Sequence, residues 1–382
     1  MKNKIAIVIP TLHGAGCEKL LSEMLFEFVK EFEIDLILYE KNIDYKIPKE
    51  INIKLVGTDN SPYHSIFYKI KRLFVRINNI GKLLSQGNYK AILSFIDGCN
   101  TNVYLAKRMY RISTPLISAE HTVNDGLFTN NPYSRQFAKI YKILLRITYN
   151  GVDEVIVISK SMKRYLKDKL KVKNENLTVI YNGIDTNSFN LVKNNDIQFE
   201  QEFEEAKIKL LNVARLDDNK NQKYLIKLMP KILKLKPEAK LFLIGKGEKE
   251  TELLDLIKKL YLQDKVFLLG WKTNISDYMK EVDLFLMSSK YESFGNVVVE
   301  SLSCGVPVIS SQYDDVIFDI IRDKTFGKII ELKNKQEFID SIFIYLENEI
   351  DRYKLHNFIK NNFFIKKTSF KYIDVIKKVI NE

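Results

Sequence analysis

Ser288-Ser289-Lys290-Tyr291-Glu292-Ser293-Phe294-Gly295-Asn296-Val297-Val298-Val299-Glu300-Ser301-Leu302-Ser303-Cys304-Gly305-Val306-Pro307-Val308-Ile309-Ser310 reads as a loop, a helix and a strand. The apolar run Leu284 to Met287 ahead of it has strand length, and the loop that follows has no period but contains the permissive Gly295. A helix is expected from near Asn296. Gly305 sits where a helix C-terminal glycine belongs, Pro307 stops continuation, and Val306 to Ile309 can form the next buried strand. Glu292 on the loop and Glu300 on the helix can both look into the crevice above the strand ends, where open α/β sheets bind ligands. The loop amides and the positive end of the helix favour a phosphate, whereas the carboxylates suit hydroxyls. A ligand carrying both a diphosphate and a polyol fits that chemistry.

Working outward, a second strand-to-helix turn supplies the matching cations. After the strand Lys209 to Val213 comes Ala214-Arg215-Leu216-Asp217-Asp218-Asn219-Lys220-Asn221, opening a helix over Gln222 to Leu235. Arg215 can grip a phosphate bidentately and Lys220 adds a point charge, each charge-assisted bond contributing about 1.5–3 kcal/mol. The strand Lys240 to Ile244 with the turn Gly245-Lys246-Gly247-Glu248, a helix over Thr251 to Leu260 and the strand Val266 to Leu269 complete the approach to the motif. Three helical segments, 334–347, 350–361 and 367–380, finish the chain.

The first half alternates in the same way. Ile5 to Ile9 is a buried strand, followed by a loop with Gly14 and Gly16, a helix through Val29 and a strand from Ile34 to Tyr39. Gly14-x-Gly16 with Glu40 beyond that strand imitates a dinucleotide fingerprint, but Lys19 stands where the third glycine belongs, so a nicotinamide or flavin enzyme is not expected. Further strands are expected at Ile51 to Leu55, Ala91 to Phe95, Leu116 to Ala119, Glu154 to Ile158 and Leu177 to Ile180, which makes a doubly wound domain. His121 falls just past a strand end, where a polar side chain is expected to point into the interdomain cleft. Residues 186–207, rich in Asn, Asp and Glu, read as a linker.

At 382 residues and 46% hydrophobic content the chain suits two or three well-packed domains. Its net charge of +12 is uneven, with 28 Lys/Arg against 18 Asp/Glu over residues 1–190 and 32 against 30 over the rest. That asymmetry points to an anionic partner for the first half, nucleic acid or acidic phospholipid, against a generally Lys-rich composition. A long helix from about Tyr63 to Gln86 carries an apolar stripe rimmed by Lys69, Lys71, Arg72, Arg76 and Lys82, and the stretch Arg135 to Tyr149 is also basic and aromatic. On anionic lipid each well-placed charge would contribute about 1 kcal/mol. Cys17, Cys99 and Cys304 are odd in number and far apart, which argues against disulfides or a zinc cluster and for a reducing compartment. The apolar start is too short for a signal peptide, and no stretch reaches the ~18 residues of a membrane span. His13, His64 and His356 lack metal-ligand spacing, and no Asp-x-Asp occurs, so no metal is expected.

The Glu-x7-Glu pair within Tyr291-Glu292-Ser293-Phe294-Gly295-Asn296-Val297-Val298-Val299-Glu300-Ser301-Leu302-Ser303-Cys304-Gly305-Val306-Pro307-Val308-Ile309 resembles the signature of the retaining glycosyltransferases of family 4. The resemblance spans nearly the whole chain and is strongest from about 209 to 310. It implies an α/β architecture, GT-B, with two Rossmann-like doubly wound domains facing across a cleft. The divisions it implies are an acceptor-side domain over 1–185, closed by the turn Tyr181-Asn182-Gly183-Ile184-Asp185, a linker over 186–207, a nucleotide-sugar domain over 208–360, and a helix over 361–382 returning to the first domain. It implies transfer of a hexose or N-acetylhexosamine from a nucleotide-diphosphate sugar, a UDP-sugar rather than a GDP-sugar, with no cofactor and no metal. The acceptor would be a saccharide, polyprenyl-linked, in surface polysaccharide assembly such as O-antigen or capsule. The protein would be cytoplasmic and peripheral on the inner face of the cytoplasmic membrane, touching an anionic surface but no nucleic acid.

By the same resemblance Glu292 meets the sugar ring, Glu300 the ribose, Arg215 and Lys220 the diphosphate, and the backbone of Phe294, Gly295, Asn296 and Val297 the phosphate oxygens. Gly14 and Gly16 approach the donor from the first domain, and His121 lies near the donor sugar as a catalytic residue. Two positions depart from the family pattern: Ser293 replaces the usual Gly, and Gln312-Tyr313-Asp314-Asp315 replaces a Gly-Pro loop. Two other readings stay open, a nucleotide-sugar epimerase or hydrolase on the same fold and a non-catalytic nucleotide-sugar-binding scaffold subunit.

Overall fold

The computed structural model describes residues 2–14, 16–57, 66–122, 132–173 and 175–381, with the side chains of 66–69 and 132–138 left aside. The chain divides into two compact units, one formed by Met1–Gly183 with Ile365–Glu382 and the other by Ile184–Phe364.

The first unit runs β1 (Asn3–Ile9), α1 (Gly16–Glu31), β2 (Phe32–Leu38), β3 (Asn52–Leu55), α2 (Ile66–Gln86), β4 (Ala91–Phe95), α3 (Asp97–Met109), β5 (Leu116–Glu120), α4 (Pro132–Gly151), β6 (Glu154–Val157), α5 (Lys160–Asp168) and β7 (Leu177–Val179). All strand pairs are parallel, in the order β3-β2-β1-β4-β5-β6-β7. Both faces of a parallel sheet need covering, which is why β4, β5 and β6 are buried throughout. The chain leaves β1 toward β2 and returns past it to β4, so right-handed crossovers place α1 on one face and α2, α3 and α4 together on the other. In agreement, α2 packs on α3 and α3 on α4.

The second unit runs α6 (Gln201–Glu204), β8 (Ile208–Val213), α7 (Gln222–Leu235), β9 (Ala239–Ile244), α8 (Glu250–Lys259), β10 (Val266–Gly270), α9 (Ile275–Lys280), β11 (Leu284–Met287), α10 (Asn296–Ser303), β12 (Val308–Ser311), α11 (Val316–Ile320), β13 (Gly327–Ile330), α12 (Lys335–Glu347) and α13 (Arg352–Asn362). Its parallel sheet has the order β10-β9-β8-β11-β12-β13, with the reversal between β8 and β11. Its core includes Leu225, Met229, Leu241, Leu284, Ile309 and Phe338. The last helix, α14 (Ile365–Asn381), rejoins the first unit, where it packs on α1 and Thr368 donates to the Tyr181 carbonyl (3.1 Å).

The expected linker over 186–207 is not one. From Ile184 onward the chain belongs to the second unit, because aromatic anchors override its polar composition. Phe203 is buried among Phe199, Phe242 and Tyr278, and Glu200 is paired with Lys272 and accepts from the Tyr278 hydroxyl (2.8 Å). Further along, Ser303 donates to the Phe189 carbonyl (2.5 Å). The long basic helix, expected from about Tyr63, is described from Ile66, and residues 63–65 and His64 lie outside the described residues.

One buried charge pins the edge of the first sheet. Asp35 of β2 has a fully buried side chain, and its carboxylate is reached by Lys54 (2.8 Å) and Asn52 (2.9 Å) of β3, by Tyr89 (2.6 Å) ahead of β4, and by Lys4 (3.4 Å) of β1. Burial alone would raise its pKa, but the bonds from Lys54, Tyr89 and Asn52 outweigh it and hold the carboxyl at about 2. A depressed carboxyl pKa stabilises the fold above the unfolded value near 3.8 and loses that contribution as pH falls through about 2. Asp35→Asn is therefore expected to cost about 2 kcal/mol at neutral pH in urea denaturation. The gap to wild type should close between about pH 4 and pH 2.

Candidate functional site

In the second unit the topology brings two loops together over the β8–β11 reversal. The loop after β8 is shaped by Asp217, whose Oδ1 accepts from the amides of Asn219 (3.0 Å) and Lys220 (2.9 Å) and whose Oδ2 accepts from Arg215 Nε (2.6 Å). Against the cost of burial, the Lys220 amide and the Arg215 guanidinium hold the Asp217 carboxyl below its usual range. Arg215 is 75% exposed, and among the described residues only its Nε is engaged, which leaves the outer nitrogens of the fork available. Gly245 and Gly247 bring a second backbone against this loop. A Cβ on Gly245 would lie 2.0 Å from the Ala214 carbonyl oxygen, and one on Gly247 2.2 Å from that of Leu216. The Leu216 amide donates to the Lys246 carbonyl (3.0 Å) across the same contact. That turn thus backs the loop carrying Arg215, and only glycine allows so close an approach.

The loop after β11 is sewn to the first one. The Lys290 amide donates to the Asn219 carbonyl (2.8 Å), Asn219 Nδ2 to the Tyr291 carbonyl (2.9 Å), and Ser288 Oγ to the carbonyls of Lys220 (2.9 Å) and Asn221 (3.1 Å). Lys220 Nζ meets Glu292 Oε1 at 2.5 Å, with side chains only 22% and 15% exposed. Ser289 donates to the same oxygen (2.8 Å), so among the described residues Oε2 is not engaged. Gly295, at φ 94°, ends the loop and begins α10, and Tyr313 donates to the adjacent Phe294 carbonyl (2.8 Å). A Cβ at Gly295 would sit 2.1 Å from that tyrosine's hydroxyl oxygen. The first amides of α10, from Asn296 and Val297, open toward the loop, while Phe294 is buried edge-on to Phe363. Glu300, the fifth residue of α10, is buried. The helix then closes with a Schellman pattern, the Val306 amide bonding to the Ser301 carbonyl and that of Gly305, at φ 73°, to Leu302. Arg215, Lys220, Glu292, Phe294, Gly295, Asn296, Val297 and Glu300 are thus gathered at the two loops and the helix that follows the second of them. Motif reading missed Asp217, Ser289 and Tyr313. The Asp-x-Asn-Lys spacing of an Asx turn would have marked the first.

In the first unit the corresponding reversal lies between β1 and β4. Gly14 takes φ 72° with open space where a Cβ would be, and Gly16 starts α1. Glu18 in the first turn is buried, its Oε2 has no partner among the described residues, and burial raises its pKa. Ile96, at the N-terminus of α3, holds φ 72°, a strained conformation for a β-branched residue. His121 is not an exposed crevice residue. It is 7% exposed, packed on Phe95, with Nε2 at 3.3 Å from the Tyr372 hydroxyl of α14 and Nδ1 without a partner among the described residues. Burial pulls its pKa down to about 3, so the ring is neutral at physiological pH. Its neighbour Glu120 accepts from Tyr149 and from the Thr122 amide (2.8 Å), while burial and Asp97 push its pKa up to about 8. Asp97, Glu120, Tyr141, Tyr149 and Tyr165 line a cavity with room for about one water. Sequence reading did not single out Glu120 or Tyr372. Only the position beside His121 hints at the former, and nothing hints at the latter.

The two cations differ in what they support without ligand. Arg215→Ala removes an exposed side chain and is expected to change unliganded stability by less than about 0.5 kcal/mol. Lys220→Ala strips the half-buried Glu292 of its cation and should cost about 1–3 kcal/mol. Chemical denaturation separates the two, and nucleotide-diphosphate titration should show weaker binding for both.

A model of the glycosyl transferases group 1 matches residues 193–363, and one of Glycosyltransferase Family 4 matches residues 16–188. The chain is 28% identical over 374 residues to the N-acetylgalactosamine-N,N'-diacetylbacillosaminyl-diphospho-undecaprenol 4-alpha-N-acetylgalactosaminyltransferase of Campylobacter jejuni, covering 98% of this chain and 96% of that one. It is 26% identical over 356 residues to a second enzyme of that organism, GalNAc-alpha-(1->4)-GalNAc-alpha-(1->3)-diNAcBac-PP-undecaprenol alpha-1,4-N-acetyl-D-galactosaminyltransferase, covering 93% and 92%. Among solved structures, sucrose-phosphate synthase from Thermosynechococcus elongatus superimposes with a TM-score of 0.81 at 15% identity over the whole of both chains. Anabaena HepE in complex with UDP-glucose does so with a TM-score of 0.77 at 18% identity, covering 98% and 99%. With one family model on each half and the GT-B fold throughout, the chain belongs to the glycosyltransferases, a Family 4 domain followed by a group 1 domain.

Proposed function

We propose that this glycosyltransferase works with retention of configuration and without a metal, moving a hexose or N-acetylhexosamine from a UDP-sugar to a polyprenyl-linked saccharide. Its setting would be surface polysaccharide assembly at the inner face of the cytoplasmic membrane. The observation that carries the donor half is the convergence of Arg215, Lys220 and the α10 amides around Glu292. Departure of a nucleoside diphosphate builds negative charge on its outer phosphate. The exposed Arg215 fork, the Lys220 ammonium and the helix N-terminus supply positive charge at that place, which is the task a bound metal performs elsewhere. Glu292, held through Oε1, offers Oε2 to a sugar hydroxyl and stabilises an oxocarbenium-like centre from its own side. The departing phosphate oxygen takes the acceptor's proton as the new glycosidic bond forms on the same face, so no protein base is required. Glu300 serves the ribose hydroxyls. In the first unit, neutral His121 offers Nδ1 as a hydrogen-bonding atom. The undecaprenol-linked substrates in the names of the Campylobacter relatives support the acceptor class, and the HepE complex supports a UDP-sugar.

Incubating the protein with UDP- or GDP-sugars and a polyprenyl-diphosphate saccharide tests this reading. The expected product forms from a UDP-sugar, keeps the donor's anomeric configuration by NMR coupling constants, and survives chelator. Glu292→Gln should lower kcat by about 10²–10³. An inverted product, or activity lost to chelator and restored by Mn²⁺, would overturn the mechanism, and donor consumption without acceptor would favour the epimerase or hydrolase. Because His121 stays neutral, His121→Ala should reduce kcat/KM without removing an inflection near pH 6.5 from the pH profile.

A further inference from the structure

We infer that the outer face of α2 and α4 in the first unit is a docking surface for an anionic lipid bilayer. The inference deepens the lipid-linked-acceptor reading and rests on it for its purpose, though not for its geometry. α4 buries Leu145, Thr148 and Tyr149 toward the sheet, as any helix of a doubly wound domain does. Its opposite face should then be polar. Instead Ile140, Ile143 and Ile147 are spaced by three and four and are 63%, 58% and 50% exposed. α2 repeats the anomaly, with Ile70, Leu73, Phe74 and Val75 exposed in its first half, Phe74 at 65%. Both helices lie on the same face of the sheet, with α3 between them.

Charge selects the occupant. Across Ile66–Gln86 and Pro132–Gly151 there are nine Lys/Arg and no Asp/Glu, and Lys71, Lys82, Lys139 and Arg146 are exposed. A second copy of the same surface would set these like charges against each other across a twofold axis. A nucleic acid would account for the cations but not for a row of exposed isoleucines, since its phosphates take basic and polar contacts. An interfacial helix needs both, apolar side chains for the acyl boundary and cations for the headgroups. No helix among the described residues is long and apolar enough to cross a membrane, so contact through this face would be peripheral. Position adds to this. Helices of a parallel sheet start at the C-terminal edge of the strands, so the exposed first half of α2 lies toward the edge that carries Gly14, Ile96 and His121. A surface held there keeps a lipid-anchored substrate close to the residues that would receive it.

Vesicle co-sedimentation of the full chain tests the inference, using phosphatidylcholine vesicles with and without phosphatidylglycerol at low and high salt. The protein is expected to bind the anionic vesicles at least about tenfold more tightly and to release with salt. Ile143→Asp with Ile147→Asp should weaken that binding about tenfold or more, as should Lys139→Glu with Arg146→Glu, which alters only exposed side chains. In both variants the UDP-induced thermal shift should be unchanged, as should transfer to a water-soluble acceptor. The inference fails if anionic vesicles are not bound at low salt, or if the isoleucine variant binds them as well as wild type. It also fails if that variant dissociates a dimer while vesicle binding persists, or if the protein prefers a short RNA duplex to anionic vesicles. None of those results touches the transferase reading, which the soluble-acceptor assay judges separately.

Discussion

The contact between Lys220 and Glu292 joins the two loops that meet over the sheet reversal of the second unit. The two residues lie 72 positions apart and meet because β8 and β11, the strands that deliver their loops, are neighbours at the reversal of the sheet. The ion pair is not a surface ornament, since both partners are mostly buried and water cannot screen them well. Alone, such a pair would gain little after its desolvation. Here it comes with a set of neutral bonds, from Lys290 to Asn219, from Asn219 to Tyr291 and from Ser288 to two carbonyls, which hold the loops in register whether or not the pair is made. The arrangement therefore stores a cation beside the helix N-terminus before any phosphate arrives. On the donor reading proposed above, an entering diphosphate would compete with Glu292 for Lys220.

Backbone approach is the second constraint, and it explains where glycine is required. The loop that carries Arg215 is backed by the Gly245–Gly247 turn at distances that no Cβ could occupy. Gly295 combines a left-handed φ with a contact to the Tyr313 hydroxyl that would exclude a methyl group. These positions are rigid supports for groups that act elsewhere. Ser293, where the resembled family usually has glycine, lies two residues ahead of the left-handed turn, so the backbone reversal itself is carried by Gly295.

Much of this was legible in the residues. The strand, loop, helix and strand over 284–310 follow from one glycine, one proline and the apolar runs, and the alternating pattern of both halves gave the two sheets. What sequence could not show are interactions whose partners share no local pattern. Asp35 looks like an interruption in a buried strand, and its role appears only when Lys4, Asn52, Lys54 and Tyr89 are brought to it by three other segments. Nothing in the residues around His121 announces Tyr372, 251 positions later, which covers its Nε2 side and leaves Nδ1 without a partner among the described residues. The stretch 186–207 misled by composition, since a few aromatic anchors outweigh many polar residues when they find a core.

The two units handle charge in opposite ways, and this bears on what each can receive. In the second unit the cations beside the strand ends are paired with carboxylates, Arg215 with Asp217 and Lys220 with Glu292, and of these four side chains Arg215 alone is largely exposed. In the first unit the titratable groups beside the strand ends are buried, and desolvation is the largest influence on each. Glu120 is driven toward its protonated form, His121 toward its neutral one, and Glu18 is raised in the same direction as Glu120. Among the described residues Glu120 is held by hydrogen bonds from Tyr149 and the Thr122 amide, and the neighbouring Asp97 adds to the rise that burial imposes on it.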